Sequence, residues 1–302
     1  MPMPDVGLGK VVVVGVGLIG GSLALSLKHA GAVQSVIGVG RDRSNLDAAH
    51  SLGIADRTYT LDEPWTAELS TADLVVLATP VGSMAALFAA IAPALGPSTL
   101  VTDVGSTKQD VIAAARARLG AAFSRFVPGH PIAGSERAGA TAASAALFRD
   151  RTVVLTPVVD TDAGAVTRVS ASWTRCGAMV QVLDAARHDA ILSAVSHLPH
   201  VLAYALVAEL AARADSTEYL DYAATGFRDF TRLASSEPAM WRDVCLANAT
   251  ALRRELALYR ASLEHIDALI ARGDKDGLLA LFERARGARE DWLVRRGAID
   301  KA

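Results

Sequence analysis

Gly15-Val16-Gly17-Leu18-Ile19-Gly20 decides the fold of this 302-residue chain. It follows the apolar run Lys10–Val14, which predicts a buried strand, and it opens a helical pattern that extends from Gly20 to Gly31. A second apolar strand, Ser35–Val39, comes next. A glycine-rich turn between a strand and a helix, followed by another strand, is the context in which the spacing G-x-G-x-x-G binds a dinucleotide.

Each position of this turn has its own physical role. Gly15 permits the tight turn, Gly17 lets a pyrophosphate approach the backbone, and Gly20 allows the helix to pack closely. Leu18 and Ile19 lie at the start of the helix, where backbone N–H groups and the helix dipole face an anion. The turn therefore predicts a site for NAD or NADP.

The rest of the first half repeats the alternation of strand and helix. Leu74–Ala78 and Leu100–Thr102 are apolar runs that each precede a helical pattern, and Val127 and Thr152–Leu155 predict shorter strands. Alternating β and α units predict an α/β fold with a doubly wound parallel sheet of the Rossmann type. We expect this dinucleotide-binding domain to cover residues 1–184.

The second half of the sequence has a helical pattern. Along one long helix, apolar residues recur every three or four positions, at Ile191, Val195, Leu198, Leu202, Leu206 and Leu210. A further helix is predicted from Trp241 to Ile270. We therefore expect an all-helical substrate and dimerisation domain over residues 185–302. Because its apolar helix faces exceed what one small bundle can bury, we also expect a homodimer.

Bulk properties exclude several classes of function. The formal net charge of −2 provides no basic field for nucleic acid or an anionic membrane. Cys176 and Cys245 are too few for a disulfide framework or a four-cysteine zinc site, and no metal site is predicted. Two uncharged stretches, residues 11–27 and 74–102, are interrupted by glycine and proline, which disfavours a signal peptide or a spanning helix. We expect a cytoplasmic protein that acts on a small molecule.

The end of the second strand bears on which dinucleotide is bound. An NAD site usually places an acidic residue there, which binds the ribose 2′-hydroxyl. Here the sequence is Gly40-Arg41-Asp42-Arg43. Either Asp42 performs that task for NAD, or the guanidinium of Arg41 binds the 2′-phosphate of NADP. The position of Arg41 favours NADP, or the use of both cofactors.

Two further loops follow predicted strands and are expected to face the cofactor crevice. They are residues 103–108 (D-V-G-S-T-K) and residues 129–136 (G-H-P-I-A-G-S-E). A neutral His130 can accept a hydrogen bond from a substrate hydroxyl while the adjoining carbon loses hydride. Ser106 can orient that imidazole or contact the same hydroxyl. The alternative for His130 is a turn histidine that caps backbone groups.

The helical half carries two more polar clusters. Residues 196–200 (S-H-L-P-H) place Ser196 and His200 on one helix face, and Pro199 predicts a kink. The alternative is a pair of partly buried histidines with satisfied hydrogen bonds. Residues 225–232 interleave arginines with aromatic residues, a pattern typical either of a carboxylate anchor or of a bridge between helices.

Taken together, these clusters resemble the prephenate/arogenate dehydrogenase family of tyrosine biosynthesis. The matching segments are G-V-G-L-I-G-G-S at 15–22, A-T-P-V at 78–81, D-V-G-S-T-K at 103–108, G-H-P-I-A-G-S-E at 129–136, S-H-L-P-H at 196–200, G-F-R-D-F-T-R-L-A at 226–234 and P-A-M-W-R-D at 238–243. They extend over nearly the whole chain, and their ordered combination is far more specific than any single motif.

The resemblance implies an oxidative decarboxylation, in which a ring carbon loses hydride to NAD(P), a carboxylate leaves as carbon dioxide and the ring becomes aromatic. It implies that His130 accepts the hydrogen bond of the ring hydroxyl, with help from Ser106, and that Arg232 holds a substrate carboxylate. If His130 titrates near the usual histidine value of about 6.5, activity falls as the pH drops through that value. The further substrate residues implied are Ser196, His200, Gly226, Trp241 and Glu136. The predicted cofactor residues are Gly15, Gly17, Leu18, Ile19, Gly20, Arg41, Thr79, Pro80 and Asp103. Arg41 departs from the family, because an acidic residue is usual there, so the resemblance does not imply which cofactor is used.

Two other classes of protein share parts of this pattern. A hydroxyacid or imine reductase with a helical dimerisation domain has the same glycine turn, but Lys275 is the only lysine between residues 185 and 281, which disfavours the lysine-based version. A non-catalytic NAD(P) sensor has no need of Ser106, His130 and Arg232 together. The choice between prephenate and arogenate, and feedback by tyrosine, are not decided by these residues.

Overall fold

The computed structural model describes residues 7–134 and 137–299. Its largest sheet has six strands, β1 (Leu8–Val14), β2 (Val33–Gly40), β3 (Arg57–Thr60), β4 (Leu74–Leu77), β5 (Leu100–Asp103) and β6 (Phe126–Val127). They lie in the order β3-β2-β1-β4-β5-β6, and every neighbouring pair is parallel. The order reverses beside β1, so the crevice for a ligand lies at the carboxyl ends of β1 and β4.

Helices cover both faces of this sheet. Along β1, Val11 and Val13 belong to one buried core, whereas Val12 and Val14 belong to the other, because successive strand residues point to opposite faces. The first core packs against helices α1 (Leu18–His29), α2 (Arg43–Ser51) and α5 (Ala163–Arg175), and the second against α3 (Met84–Ile91) and α4 (Gln109–Arg118). The predicted Rossmann-type sheet is confirmed.

A second, three-stranded sheet holds β7 (Gly129–Pro131), β8 (Thr152–Leu155) and β9 (Met179–Val182). Strand β8 lies in the middle, antiparallel to β7 and parallel to β9. The short strand predicted at Thr152–Leu155 is confirmed, and it lies in this second sheet rather than in the large parallel one. The large sheet stops at the short β6 because Pro128, which follows it, has no N–H to donate to a ladder.

The chain from residue 185 to 249 is helical, as predicted. It contains α6 (Ala185–Leu192), α7 (Leu198–Ala211), α8 (Ser216–Asp221), α9 (Thr225–Thr231) and α10 (Pro238–Ala247). Between α6 and α7, Ser193–His197 forms a π-helical turn rather than a simple kink. Because Pro199 has no N–H, the carbonyl four residues before it loses its usual helical partner, and the helix widens there.

By length and composition, residues 185–211 match a membrane-spanning helix. However, the side chains that the fold buries along this segment include the polar His188, Asp189 and His197. Apolar side chains such as Val195 and Leu206 are exposed instead. The segment therefore directs polar groups into the protein and presents apolar groups on the outside of the single chain.

The chain divides by compactness into two units, Met1–Ala249 and Thr250–Ala302. The second unit consists of most of α11 (Ala249–Ala271) and of α12 (Lys275–Ile299). Helices α6 to α10 belong to the first unit together with the two sheets. A domain boundary at residues 184 and 185 stays a prediction.

The single helix predicted from Trp241 to Ile270 is wrong. Asn248 separates α10 from α11, and its backbone leaves the helical conformation with φ −107° and ψ 31°. Its buried side chain is used in the interior, because Nδ2 donates a hydrogen bond of 2.8 Å to the carbonyl oxygen of Asp189. A chain interruption that depends on a partner 59 residues away leaves little trace in local periodicity.

Candidate active site

The glycine turn between β1 and α1 is packed tightly on two sides. Gly15 has φ +102°, and a Cβ there would lie 2.3 Å from the carbonyl oxygen of Ala78. A Cβ at Gly20 would lie 2.1 Å from the carbonyl oxygen of Gly15. Larger residues at these two positions would therefore collide with backbone atoms.

Gly17 differs from the other two glycines, because a Cβ there would meet no atom within 4 Å. Gly17 is also the residue that precedes α1, and no side chain caps the helix at this end. The backbone N–H groups of Leu18 and Ile19 lie in the first turn of α1, where the helix dipole favours an anion. An open glycine at an uncapped helix N-terminus fits the pyrophosphate of a dinucleotide.

The three charged residues after β2 have different surroundings. Asp42 accepts hydrogen bonds from the backbone N–H of Ser44, at 2.8 Å, and from its hydroxyl, at 2.9 Å, and so caps α2. These bonds hold the pKa of Asp42 below its usual value. Arg43 pairs with Glu63 at 2.6 Å. Arg41 is exposed and has no hydrogen bond or ion pair among residues 7–134 and 137–299.

Thr79 and Pro80 follow β4, at the same edge of the sheet as Gly15. Thr79 is half-buried, and its hydroxyl lies 2.9 Å from the hydroxyl of Ser83, which donates to it. Pro80 is exposed. Both residues therefore lie where a cofactor in the crevice would reach them.

Asp103 is surrounded by protein groups. It is fully buried, and its carboxylate accepts from the backbone N–H groups of Gly105, at 2.8 Å, and Gly129, at 3.1 Å. The ammonium of Lys108 is also buried and bonds both this carboxylate and the carbonyl oxygen of Gly129. The carboxylate is therefore bound by protein groups, and the contact of Asp103 with cofactor stays a prediction. The buried ion pair thus joins the segment that carries Ser106 to the segment that carries His130, because it bonds both Gly105 and Gly129.

His130 lies on β7 and heads a line of three polar groups. Its Nδ1 lies 2.9 Å from Nε2 of His188, and Nδ1 of His188 lies 2.8 Å from Oδ1 of Asp189. His130 is half-buried, whereas His188 and Asp189 are buried. The partner of the His130 ring is thus His188; in the described chain, Ser106 makes no hydrogen bond to it.

Asp189 also holds the start of α4. Its two carboxylate oxygens accept from the backbone N–H groups of Lys108 and Gln109, each at 2.9 Å. These N–H groups are among those that an α-helix cannot satisfy internally. The bonds from His188, Gln109 and Lys108 hold the pKa of Asp189 below its usual value despite burial.

Sequence reasoning missed His188 and Asp189. Neither belongs to a motif with fixed spacing, and His188 is 58 residues from the ring that it contacts. A histidine next to an aspartate at the start of an apolar helix was the one local signal available.

The environment of His130 favours its neutral form. Burial lowers the pKa of the imidazole well below the usual value for histidine, and the positive charge of Lys108 acts in the same direction. The ring is therefore neutral at pH 7, as a hydrogen-bond acceptor must be. We therefore expect activity to be lost at a lower pH than the value of about 6.5 expected from the sequence.

A second cluster joins Ser196, His200 and Trp241. The rings of His200 and Trp241 are stacked, and Nδ1 of His200 lies 2.8 Å from the backbone oxygen of Ser196. Burial lowers the pKa of His200, and the charge of Arg232 lowers it further. His197 connects this cluster to the first through Asn248. Nδ1 of His197 lies 3.2 Å from Nδ2 of Asn248, and the same Nδ2 donates to the carbonyl oxygen of Asp189.

The other predicted substrate residues are less closely associated with this cluster. Gly226 is exposed on α9, and Arg232 follows that helix in a short 3₁₀ turn, also exposed. Glu136 lies outside the described residues.

Two family models together match most of the chain. Residues 23–182 match the nucleotide-binding domain of prephenate dehydrogenase, and residues 184–284 match its dimerization domain. The chain belongs to the prephenate dehydrogenase family. It is accordingly an NAD(P)-dependent dehydrogenase of tyrosine biosynthesis.

Individual relatives agree with this assignment. The cyclohexadienyl dehydrogenase of Zymomonas mobilis is 36% identical over 281 residues, which cover 92% of this chain and 94% of the relative. The prephenate dehydrogenase of Bacillus subtilis is 33% identical over 292 residues, which cover 96% and 78%. The relatives of the prephenate dehydrogenase family thus include enzymes named for more than one substrate.

Solved structures show the same fold. The prephenate dehydrogenase of A. aeolicus, in complex with hydroxyphenyl propionate and NAD+, superimposes with a TM-score of 0.88, at 32% identity and with coverage of 94% of this chain and 98% of that one. The arogenate dehydrogenase of Synechocystis gives a TM-score of 0.77, at 30% identity and with coverage of 94% and 99%.

Proposed function

We propose that this dehydrogenase oxidatively decarboxylates prephenate, arogenate or both, and forms 4-hydroxyphenylpyruvate or tyrosine. The observation that carries the proposal is the place of His130 on β7, directly after β6 of the Rossmann-type sheet, with its Nδ1 2.9 Å from Nε2 of the buried His188. Names of the relatives cover prephenate, arogenate and cyclohexadienyl substrates, which share the same ring.

In this reaction His130 receives the hydroxyl proton of the ring. The C–O bond becomes a carbonyl as its carbon gives up hydride, and the nicotinamide, when bound, supplies the hydride acceptor. The ring carboxylate then departs as carbon dioxide, and aromatisation drives that loss. Neither a metal nor a second base is required by this sequence of steps, because one proton acceptor balances the hydroxyl.

Other side chains would bind and orient the substrate. In the proposal Arg232 pairs with a substrate carboxylate, since a guanidinium binds carboxylates in a bidentate manner. Ser196, His200 and Trp241 line the ring-binding side, and Gly226 and Glu136 complete the pocket. Ser106 contacts the substrate hydroxyl directly, because Nδ1 of His130 is already bonded to His188.

For the cofactor we favour NADP. Asp42 is used as a helix cap and Arg43 is paired with Glu63, which leaves Arg41 to meet a 2′-phosphate. A guanidinium suits phosphate better than it suits a ribose hydroxyl. The A. aeolicus relative is in complex with NAD+, so Arg41 is the residue to test in this chain.

The proposal includes a homodimer in the cytoplasm. Residues 184–284 match a dimerization domain, and apolar side chains there, including Val195, Leu246 and Phe282, are exposed in the single chain. Exposed apolar surface of this kind is typical of an interface between subunits. Cys176 and Cys245 are free thiols, as a reducing compartment favours.

The decisive experiment incubates the purified protein with prephenate or arogenate and with NAD or NADP, in all four combinations. Formation of reduced nicotinamide is followed by absorbance, and carbon dioxide release is measured in parallel. Equal amounts of both products are expected with at least one substrate. Absence of reduction in all four mixtures would refute the proposed function.

A further inference from the structure

His130, His188 and Asp189 form a continuous hydrogen-bonded line. The two contacts measure 2.9 Å, between Nδ1 of His130 and Nε2 of His188, and 2.8 Å, between Nδ1 of His188 and Oδ1 of Asp189. Nε2 of His130 has no hydrogen-bond partner within residues 7–134 and 137–299. The line therefore ends at one unpartnered nitrogen on the half-buried ring.

The direction of these hydrogen bonds follows from the carboxylate. Asp189 accepts further bonds from the backbone N–H groups of Lys108 and Gln109, and four donors in all favour the ionised form. An ionised carboxylate can only accept, so Nδ1 of His188 carries a proton and donates it. With that single ring proton on Nδ1, Nε2 of His188 is an acceptor, and Nδ1 of His130 must be the donor.

We propose that His188 and Asp189 are positioning residues that hold His130 in its Nδ1–H tautomer and thereby reserve its Nε2 for the hydroxyl proton of the substrate. The inference rests on the proposed function, because only a proton-accepting His130 needs this tautomer. The nitrogen that carries the proton in a neutral histidine is set by the hydrogen bond of the other nitrogen.

The proton balance of the step is simple. The substrate O–H bond breaks, its electron pair forms the carbonyl as hydride leaves carbon, and the proton goes to Nε2 of His130. His130 is then an imidazolium that still donates from Nδ1 to His188. The negative charge of Asp189, on the far side of the His188 ring, stabilises this cation. When loss of carbon dioxide places an electron pair on the ring oxygen, the proton returns from Nε2 of His130 to that oxygen and completes the product hydroxyl.

The first test measures the tautomer without substrate. In protein labelled with ¹⁵N-histidine, we expect the spectrum at pH 7 to show His130 protonated at Nδ1 and bare at Nε2. The His130 signals are assigned from their loss in His130→Asn. A wild-type His130 protonated at Nε2 would overturn the inference, even in an active enzyme, whereas an inactive wild type with the expected tautomer would count against the proposed function alone.

The second test uses two substitutions of the buried imidazole. His188→Gln keeps an oxygen that can accept from His130, whereas His188→Leu removes the acceptor. We expect His188→Leu to shift the His130 signals toward the Nε2–H tautomer and to lower kcat by roughly 10–100-fold, the usual effect of losing an outer partner. His188→Gln should keep most of the Nδ1–H tautomer of His130 and most of kcat. KM for NAD(P) should not change in either variant.

His29→Leu is the matched control, because His29 is exposed near the end of α1. It should change neither the His130 signals nor kcat. Equal loss of kcat in His188→Gln and His188→Leu, with an unchanged His130 tautomer, would show a packing role and contradict the inference. If His188→Leu does not fold, the wild-type spectrum and the glutamine variant still decide it.

Discussion

The imidazole of His200 lies flat against the indole of Trp241, with ring centroids 3.6 Å apart and planes inclined by 19°. Trp241 is buried, so it fixes the plane in which His200 can meet a ligand. Stacked aromatic pairs contribute about 0.5–1.5 kcal/mol beyond their burial, which corresponds to about 2- to 10-fold in binding. We expect Trp241→Leu to raise KM for the ring substrate by that factor.

Steady-state kinetics with the substrate and the cofactor varied separately would check this. Trp241→Phe serves as the matched variant, since it retains a ring against His200 and should have a smaller effect. Equal increases in KM for substrate and cofactor would contradict the assignment of this pair to the substrate.

The acid limit of activity should lie well below pH 6.5. Only neutral His130 accepts a proton, and activity is lost as the pH falls through the pKa of the folded protein, which burial has lowered. A profile of kcat/KM from pH 4 upward should stay flat through 6.5 and fall only at lower pH. His130→Asn should lower kcat on the order of 10²–10⁴-fold. A fall centred at 6.5, or near-normal turnover of the variant, would exclude this role.

Gly17 and Gly20 should respond differently to alanine. At Gly17 the added methyl group meets no protein atom, so Gly17→Ala should fold normally and raise KM for NAD(P) by obstructing the pyrophosphate. At Gly20 it meets the carbonyl oxygen of Gly15, so Gly20→Ala should lower the free energy of unfolding by about 1–3 kcal/mol. Urea denaturation and cofactor titration would separate the two outcomes. Similar destabilisation by both would argue against an open site at Gly17.

Arg41 should govern the choice of cofactor. Hydrogen bonds to a charged group contribute about 1.5–3 kcal/mol, so Arg41→Ala should raise KM for NADP by roughly 10–100-fold and leave KM for NAD nearly unchanged. Arg43→Ala is the control, since Arg43 is paired with Glu63. A strong preference for NAD that persists in Arg41→Ala would refute the choice of NADP.

Asn248 should be a determinant of stability. Asn248→Ala removes a buried side-chain hydrogen bond to the carbonyl oxygen of Asp189, which still accepts a helical backbone N–H at Ser193, and we expect the free energy of unfolding to fall by about 0.5–1.5 kcal/mol. Gln181→Ala, at an exposed amide, should change it far less. Thermal and urea denaturation would measure both. An unchanged midpoint for Asn248→Ala would show that this side-chain hydrogen bond adds nothing to stability.

Local patterns were sufficient for most of the fold. The valines of β1, the glycine turn and α1 are adjacent in sequence, so their order alone predicts a strand, a turn and a helix. Thr152–Leu155 was predicted as a strand, but its place in a second sheet was not, because its pairing depends on β7, more than 20 residues earlier. Asn248 was hidden inside a helical pattern because its bonds are to distant partners.

The candidate site divides in the same way. His130 was identified from a contiguous motif, but the nature of its environment was not, since burial and the contact with His188 arise only on folding. Asp103 was assigned to the cofactor because it ends a strand, and no sequence pattern reports that its carboxylate turns inward onto Lys108.

The bonds that Asp189 makes to Lys108 and Gln109 have a consequence for recombining enzymes of this family. The two family models meet between residues 182 and 184, which invites exchange of the halves between relatives. However, Asp189, which binds the start of α4 in the nucleotide-binding half, belongs to the dimerization half. A chimera joined at that seam will keep its cofactor half intact only if the incoming half carries an acid at position 189.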